Sequence, residues 1–516
     1  MDQFKRRRTR SAKNSHVLKV LASSQIRELD KFTIENEPIA PIDLMERACH
    51  AFVHWFVQQV RTEKKIGIVC GTGNNGGDGL GIARLLNERG YHVKVWIVRG
   101  EMGETESFKT NFKRLNNKIS ISEISKPTDR GLFHDCDVLV DAVLGSGLSR
   151  TTEGIYAQVI SCINQTDAIR IAVDIPSGLF ADAPSSGSIV EAHHIVSFQL
   201  PKLAFLFAEN NKYVGDWHVA DIGLSKEFMR DAPAQNLFVN AKSVKKIIRP
   251  REKFSHKGSY GHALLISGSF GKMGACVLAA RAALRSGLGL LTVHIPFCGY
   301  ALVQTSVPEA MASVDVEENH FSSVPGKLNY SSIGIGPGIG TDPTTIDAFA
   351  KILKEFDKPM VIDADALNIL SQNKELFVRI PEGSILTPHP KEFERLAGTW
   401  KNEFERLELL RNFSIKIRSV VILKGAYSAT ASPDGKVYFN STGNPGMATG
   451  GSGDVLTGIV TGLLSQGYSS LDAALLGVYL HGLAGDLAAA DVGMNSLIAG
   501  DLIEFLPYAF KKISYA

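Results

Sequence analysis

Six glycines fall within the sixteen residues from Gly443 to Gly458, and an amphipathic apolar run overlaps their end. Residues without a Cβ let backbone N–H groups converge on one point. Val455, Leu456, Ile459, Val460, Leu463 and Leu464 give the following segment the spacing of a half-buried helix. A helix that opens directly after such a loop turns its free N–H groups and positive dipole end toward the loop's occupant. The occupant this suits is an anion, most often phosphate. Asp454 sits at the mouth of that helix. A carboxylate there is a poor anion binder and a good base or metal contact. The plainer alternative is a glycine-rich turn capped by an aspartate.

At 516 residues the chain exceeds one ordinary core, so two or three domains are expected. With 44% hydrophobic and 21% charged residues it reads as globular, and it holds no apolar run of membrane-spanning length. Seven Lys and Arg against one Asp give residues 1–19 a charge of +6, which leaves −3 for the rest of a chain whose net charge is +3. A near-neutral body argues against a nucleic-acid surface. The basic tail reads as a solvated terminus, with contact to nucleic acid or anionic lipid as the alternative, and it lacks the apolar segment of a secretory signal. The six cysteines form no C-x-x-C pair and fit reduced, buried thiols of a cytoplasmic protein.

Residues 20–60 show helical spacing, with Ser24 as the expected N-cap. A short strand, Lys65–Cys70, then runs into Gly71-Thr72-Gly73-Asn74-Asn75-Gly76-Gly77-Asp78-Gly79, read as a ligand loop ahead of a helix over Leu80–Arg89. The strand His92–Val98 completes a Rossmann-like β-loop-α-β order. The loop lacks a G-x-G-x-x-G in register with a later ribose-binding acid, which excludes a plain NAD-dependent dehydrogenase. Two more strands end in Asp141 and Asp174, each followed by a glycine-containing loop. Parallel strands place such ends on one edge, so Asn75, Asp78, Asp141, Asp174 and Ser177 are expected in one cleft. Oxygen ligands without His or Cys suit a hard cation. The alternative is that each Asp caps the helix after its strand.

Residues 193–222 read as two edge strands, and the periodicity is lost near 226–240, where a linker is placed. The remainder restarts as alternating strands and helices, which implies a mainly parallel, helix-flanked sheet. Its strands end in Gly268–Ala275, Gly336–Gly340, Asp363–Asn368, Thr387–Glu392 and Lys424–Ser428. His389 lies between two prolines that expose its ring.

The strings GSFGKMGA, GPGIG, DADALN, LTPHPKEF, KGAYS and NPGMATGGSGDVLTG resemble the ribokinase-like, ADP-dependent NAD(P)H-hydrate dehydratases. GNNGGDG, DAVLGSGL and DIPSGL resemble the NAD(P)H-hydrate epimerase domain, and the order matches the bacterial fusion of the two. The fold class expected is α/β, a Rossmann-like three-layer domain followed by a ribokinase-like domain. The boundaries expected are a tail at 1–19, an epimerase at 20–225, a linker at 226–240 and a dehydratase at 241–516. The resemblance implies repair of NADHX and NADPHX, nicotinamide cofactors hydrated at ring C6. It makes Asp454 the dehydratase base, with an oxyanion cradle at Gly451, Ser452 and Gly453. It matches Lys424, Gly425, Ala426, Tyr427, Ser428 and Gly453 to ADP contacts, and Ala275, Gly338, His389 and Asp454 to hydrate contacts. Mg²⁺ is the implied metal there. In the first half it matches Asn74, Asn75, Gly76, Gly77, Asp78, Gly145, Ser146, Gly147, Leu148, Ser149, Arg150, Thr151 and Asp174 to hydrate contacts, and Asn75, Asp141 and Ser177 to a bound K⁺. Asp174 is the candidate acid/base, a purely positional role being the alternative. Ser146 stands where Thr is usual and Gln199 where Gly is common. A homo-oligomer is expected, with no nucleic-acid or membrane partner. Two other readings share these folds: a kinase for a small hydroxylated vitamin precursor, and for the first half a non-catalytic scaffold.

Overall fold

A computed structural model of the chain describes residues 17–101, 103–115, 119–126 and 131–515; most of the basic tail lies outside them. The chain gathers into two units, one of Lys19–Asn236 with Ala397–Phe413, the other mainly of Leu237–Leu396 with Ser414–Ala516. Ala397–Phe413, expected in the second domain, thus groups with the first unit. The expected linker at 226–240 carries a short helix, Lys226–Asp231, and a strand, Asn236–Val239.

The first unit opens with helices α1 (Ser23–Asn36) and α2 (Pro41–Gln59). Its N-cap is Ala22 rather than the expected Ser24: the Ala22 N–H donates to the Gln25 side chain at 3.1 Å, and the Ser23 N–H to Asp182 at 2.7 Å. Then follow β1 (Lys65–Cys70), α3 (Asn74–Glu88), β2 (His92–Val98), α4 (Glu106–Arg114), β3 (Ser120–Ile124), β4 (Val138–Ala142), α5 (Gly154–Asn164), β5 (Ile169–Val173), β6 (His194–Phe198) and β7 (Asp216–Ala220). The seven strands form one parallel sheet in the order β3-β2-β1-β4-β5-β6-β7. Of the two strands expected at an edge, β7 is terminal and β6 is internal. Asp141 lies opposite Val69 on one side and Ala172 on the other, at the carboxyl end of the sheet's centre. Helix α3 begins at Asn74, six residues before the expected start, so Asn75, Gly76, Gly77 and Asp78 lie on its first turns. A Cβ on Gly76 would stand 1.8 Å from the Gly71 carbonyl oxygen, so the helix enters against the strand end only because that side chain is absent.

The second unit contains β8 (His262–Ile266), α6 (Met273–Arg285), β9 (Leu290–Ile295), β10 (Met311–Val314), β11 (Ser332–Ile335), α7 (Pro343–Glu355), β12 (Val361–Ile362), α8 (Ala364–Gln372), β13 (Ile385–Leu386), α9 (Pro390–Ala397), β14 (Val420–Leu423), β15 (Ala429–Ala431), β16 (Val437–Asn440), α10 (Ser452–Ser465), α11 (Ser470–Val492) and α12 (Ala499–Tyr515). Its strands neighbour one another as Asn236–Val239, β16, β15, β14, β13, β12, β11, β8, β9 and β10. Only the β14-β15-β16 meander is antiparallel among the registered pairs. The segments from Asp363 and from Pro390, expected as loops, are helix starts.

Helix α10 is buried along its length from Val455 to Ser465. It packs on α6 at backbone distance. A Cβ on Gly458 would meet the Ala279 carbonyl oxygen at 2.1 Å, and one on Gly462 the Ser286 hydroxyl at 2.0 Å. Helix α11 is long and apolar enough to cross a membrane by composition, but 78% of its apolar window is buried inside the fold. The cysteines are free thiols, four of them buried.

The α6–α10 contact yields a prediction. Gly458→Val inserts a branched side chain against backbone and should cost about 1–3 kcal/mol or more, as overpacking does. Calorimetry should show earlier melting of the second unit, and the chemistry at the start of α10 should fail with it. Unchanged melting would show that the helices can separate without cost.

Candidate active sites

In the second unit the glycine string ends at Gly451, a left-handed residue with φ 88° that serves as N-cap of α10. A Cβ there would stand 2.5 Å from Leu278 and 3.1 Å from Ala499, so only glycine allows both the turn and the packing. The first N–H groups of α10 have no acceptor within the helix, which is what an anion cradle requires. Upstream, Asp486 anchors the loop by accepting from the Gly443 N–H and the Asn444 amide, each at 3.0 Å.

Asp363, at the end of β12, ties this helix to the rest of the cleft. Its Oδ2 accepts from the Thr457 hydroxyl on α10 at 2.6 Å, and its Oδ1 from Lys424 at the end of β14 at 2.9 Å. Lys424 lies 3.9 Å from Glu392, and a Cβ on Gly453 would stand 3.5 Å from its ammonium. The candidate nucleotide contacts Lys424 and Gly453 therefore meet. Gly425, Ala426, Tyr427 and Ser428 continue the turn after β14, closed by the Gly425 N–H donating to the Ser428 hydroxyl at 3.3 Å. Gly338, with φ 68°, lies against α6: a Cβ on it would stand 3.5 Å from that of Ala275, which brings two candidate hydrate contacts together. Asp365 accepts from the Gly340 N–H at 2.9 Å and lies 3.5 Å from Lys272.

His389 is half-exposed, as its flanking prolines suggest, but it also caps α9. Its backbone N–H donates to Glu392 at 2.8 Å, and its Nδ1 accepts from the Glu392 N–H at 3.3 Å, a reciprocal box that fixes the ring. Burial first, then Lys424, hold its pKa below the ordinary histidine value. His481 is partly buried: burial pushes it down to about 4, and its Nε2 lies 2.9 Å from the Ser452 carbonyl oxygen, steadying the first turn of α10.

Asp454 differs from Asp363 in having no ion-pair or hydrogen-bond partner among the described residues. Burial pushes it up to about 6, with Asp363 and Asp365 adding to the shift and Lys424 opposing it. That is the setting of a proton acceptor poised near neutrality. Among the described residues no cluster of three or more His, Cys, Asp or Glu forms a metal cage. Asp363 is already committed to Lys424 and Thr457. A magnesium ion fits here only as Mg²⁺ usually binds, through nucleotide phosphates with one or two carboxylates.

In the first unit, Asp141 is fully buried at the end of β4, and burial raises it to about 6. It accepts from the Ser177 N–H at 2.7 Å and hydroxyl at 2.5 Å. The same hydroxyl oxygen accepts from the Leu144 N–H at 2.8 Å. Asn75 is buried beside Gly145, and its amide nitrogen has no partner. A buried carboxylate, a hydroxyl and an unsatisfied amide make an all-oxygen donor set once that amide is flipped, and these residues fit a potassium ion.

Of the stretch expected to contact the hydrate, Gly145 meets Asn75, and Thr151 pairs with Ser186 at 3.0 Å. Gly147, Ser149 and Arg150 are exposed, and Ser146 and Leu148 partly so. Asp174 adopts φ 65°, a strained region for a non-glycine residue and a common mark of functional sites. Its Oδ1 accepts from Lys202 at 2.9 Å, from the Phe198 N–H at 3.0 Å and from Ser197 at 3.4 Å. Gln199 is left-handed too, with φ 64°, a conformation that suits the glycine the resemblance leads one to expect there. Its side-chain oxygen accepts from the Ile222 and Leu224 N–H groups at 3.0 and 3.3 Å and offsets the strain.

Lys202, Asp363 and Asp365 join the two sites although the sequence did not single them out. Asp363 and Asp365 lay in plain view as strand-end acids. Lys202 was visible only as part of a Pro-Lys pair.

Comparison with known proteins bears on the family of the chain. Residues 263–508 match the family model described as NAD(P)H-hydrate dehydratase, and residues 41–204 that described as YjeF-related protein N-terminus. The bifunctional NAD(P)H-hydrate repair enzyme of Moorella thermoacetica is 37% identical, with 96% of this chain and 97% of that protein covered. That of Escherichia coli K12 is 34% identical over 85% of this chain and 84% of its own length. A ribokinase-like superfamily protein of Enterococcus faecalis V583 is 28% identical, with a TM-score of 0.50, over 55% of this chain and 98% of that structure. Two domain matches in this order and full-length likeness above 30% place the chain in the family of bifunctional NAD(P)H-hydrate repair enzymes.

Proposed function

We propose that the second unit dehydrates the S epimer of NADHX and NADPHX, converting ADP to AMP and phosphate. The first unit interconverts the R and S epimers at C6. The observation that carries the reading is Asp454, an unpaired carboxylate raised to about 6 at the mouth of a glycine-cradled helix.

Direct loss of water would expel hydroxide. Asp454 instead accepts the proton of the C6 hydroxyl, whose oxygen forms a bond to the β-phosphorus of ADP as the bond to AMP breaks. The backbone N–H groups at Gly451, Ser452 and Gly453 face the charge that develops on the transferred phosphoryl, and Lys424 adds a cation beside Gly453. The ring-nitrogen lone pair then expels phosphate, and loss of a C5 proton restores the dihydronicotinamide. Gly338 and Ala275 form the wall against which the hydrate rests, and His389 presents a ring fixed by Glu392. Magnesium, when bound, offsets phosphate charge. In the first unit, Asn75, Asp141 and Ser177 hold K⁺, and Asp174 faces the hydrate. Free, mostly buried thiols are consistent with a cytoplasmic enzyme.

The test is incubation with mixed-epimer NADHX, ADP and Mg²⁺ while reduced-nicotinamide absorbance is followed. Both epimers should be consumed. Release of a stable phosphorylated hydrate in place of phosphate would make the second unit a kinase. Consumption of the R epimer at only its spontaneous rate would make the first unit inert.

Asp454→Asn keeps side-chain volume and breaks no hydrogen bond, so stability should move little. The dehydration rate should fall by about 10²–10⁴-fold, the usual worth of a general base, with ADP binding retained by calorimetry. The ionised form is the active one, so wild-type kcat should rise with pH through about 6 and level off above it. A mutant within a few-fold of wild type, or a flat profile across pH 5–7, would remove Asp454 from the mechanism.

A further inference from the structure

Epimerisation by ring opening needs two proton-transfer positions. One accepts the C6 hydroxyl proton and the other supplies a proton to the ring nitrogen. Asp174 supplies one. Its Oδ1 is filled by Lys202, Phe198 and Ser197, and the Lys202 side chain is only 3% exposed, so this carboxylate is anchored with Oδ2 left for the hydrate.

We propose that Asp30 on α1 is the second proton-transfer group of the epimerase. On a helix, residues three apart share a face. Arg27, one turn before Asp30, lies beside Gly147 of the hydrate-contact stretch, 4.0 Å from where that glycine's Cβ would stand. Thr33, one turn after it, is buried and accepts from the Ser225 N–H at 3.0 Å. Asp30 lies one turn from each of these contacts, on the same side of α1, and is partly buried. Among the described residues its carboxylate has no hydrogen-bond or ion-pair partner within contact distance.

The charged groups facing it are Asp174, Lys202 and Asp78. Burial, then Asp174, push Asp30 up to about 6, while Lys202 opposes. Burial, then Asp174 and Asp30, hold the Asp78 carboxyl well above its ordinary value. An anchored carboxylate beside an unpaired one with a raised pKa is the usual division between base and acid.

The step balances. The hydroxyl O–H proton passes to Asp174, the oxygen's electron pair forms C6=O, and the C6–N1 bond breaks. Its pair stays on N1, which takes a proton from Asp30. Rotation about C5–C6 presents the opposite face to N1. N1 then returns its proton to Asp30 and attacks C6, and the oxygen recovers its proton from Asp174. Nothing is oxidised or reduced, and both carboxyls end as they began.

The proposal rests on the reading of the first unit as an epimerase. The experiment uses the full-length protein, with R-NADHX, ADP and Mg²⁺, beside parallel assays on the S epimer. Asp30→Asn should lower epimerisation kcat by about 10²-fold, with KM within threefold and dehydration of the S epimer unchanged. The residual activity should lose the pH dependence near 6, and Asp30→Glu should restore part of the rate. A kcat within threefold of wild type for Asp30→Asn would overturn the proposal. So would a loss that appears in KM alone, or one that leaves the pH profile in place. A second measurement avoids variants: R-NADHX labelled with ¹⁸O at the C6 hydroxyl should give S epimer that keeps the label when trapped within seconds. Immediate full loss of label would mean C6–O cleavage and overturn the two-carboxylate step. A wild-type protein that does not speed epimerisation would instead overturn the epimerase reading itself.

Discussion

The second unit depends on how closely α10 approaches α6. Gly458 and Gly462 let the two backbones touch, and that contact fixes the direction of α10 within the core. Its first turn then arrives at the strand ends with N–H groups pointing outward and Asp454 among them. Thr457, one turn further in, holds Asp363, and Asp363 holds Lys424. A helix fixed deep in the core thus sets the positions of a cation, an anion cradle and a base. None of these groups could be moved by ordinary side-chain motion without disturbing packing.

The first unit solves the same problem with a different contact. Gly76 allows α3 to start almost on the Gly71 carbonyl, which brings Asn75 and Asp78 to the strand ends. Each site also places a left-handed non-glycine residue beside its carboxylates. Asp174 is itself that residue, with φ 65°, and Ala364, with φ 49°, separates Asp363 from Asp365. Strain of this kind costs of the order of 1–3 kcal/mol and persists only where the surroundings hold it. Here the holding groups are Lys202 and Phe198 in one case, and Lys424 and Thr457 in the other.

Much of this was legible in the sequence. Strands such as Ser332–Ile335 and Val420–Leu423 coincide with their apolar runs, because a strand buried on both faces has little else to encode. The glycine string and the strand-end acids could be read because each feature is local. Helix starts were harder: Asn74–Gly79 and Ala364–Asn368 look like loops, since glycine and aspartate disfavour helix in isolation, and tertiary contacts override that preference. The pairings were not legible at all. Lys424 and Asp363 are 61 residues apart and Thr457 and Asp363 are 94 apart, and no periodicity reports such contacts. Asp30 is one polar residue in an amphipathic helix until the fold puts it within the field of Asp174.

Both sites sort their carboxylates by pairing. Asp363 and Asp174 each bind a lysine, at 2.9 Å in both cases, which fixes where each carboxylate points. Asp454 and Asp30 sit within the field of those paired acids and have no cation in contact. The neighbouring anion and the loss of water then raise each of them to about 6. The lysines contribute indirectly as well, since Lys424 and Lys202 restrain the same shifts that Asp363 and Asp174 promote. A second lysine in contact with Asp454 or Asp30 would pull its pKa down and leave a carboxylate too weak to accept a proton. One lysine per pair of acids anchors one carboxylate and leaves the other without a cation in contact.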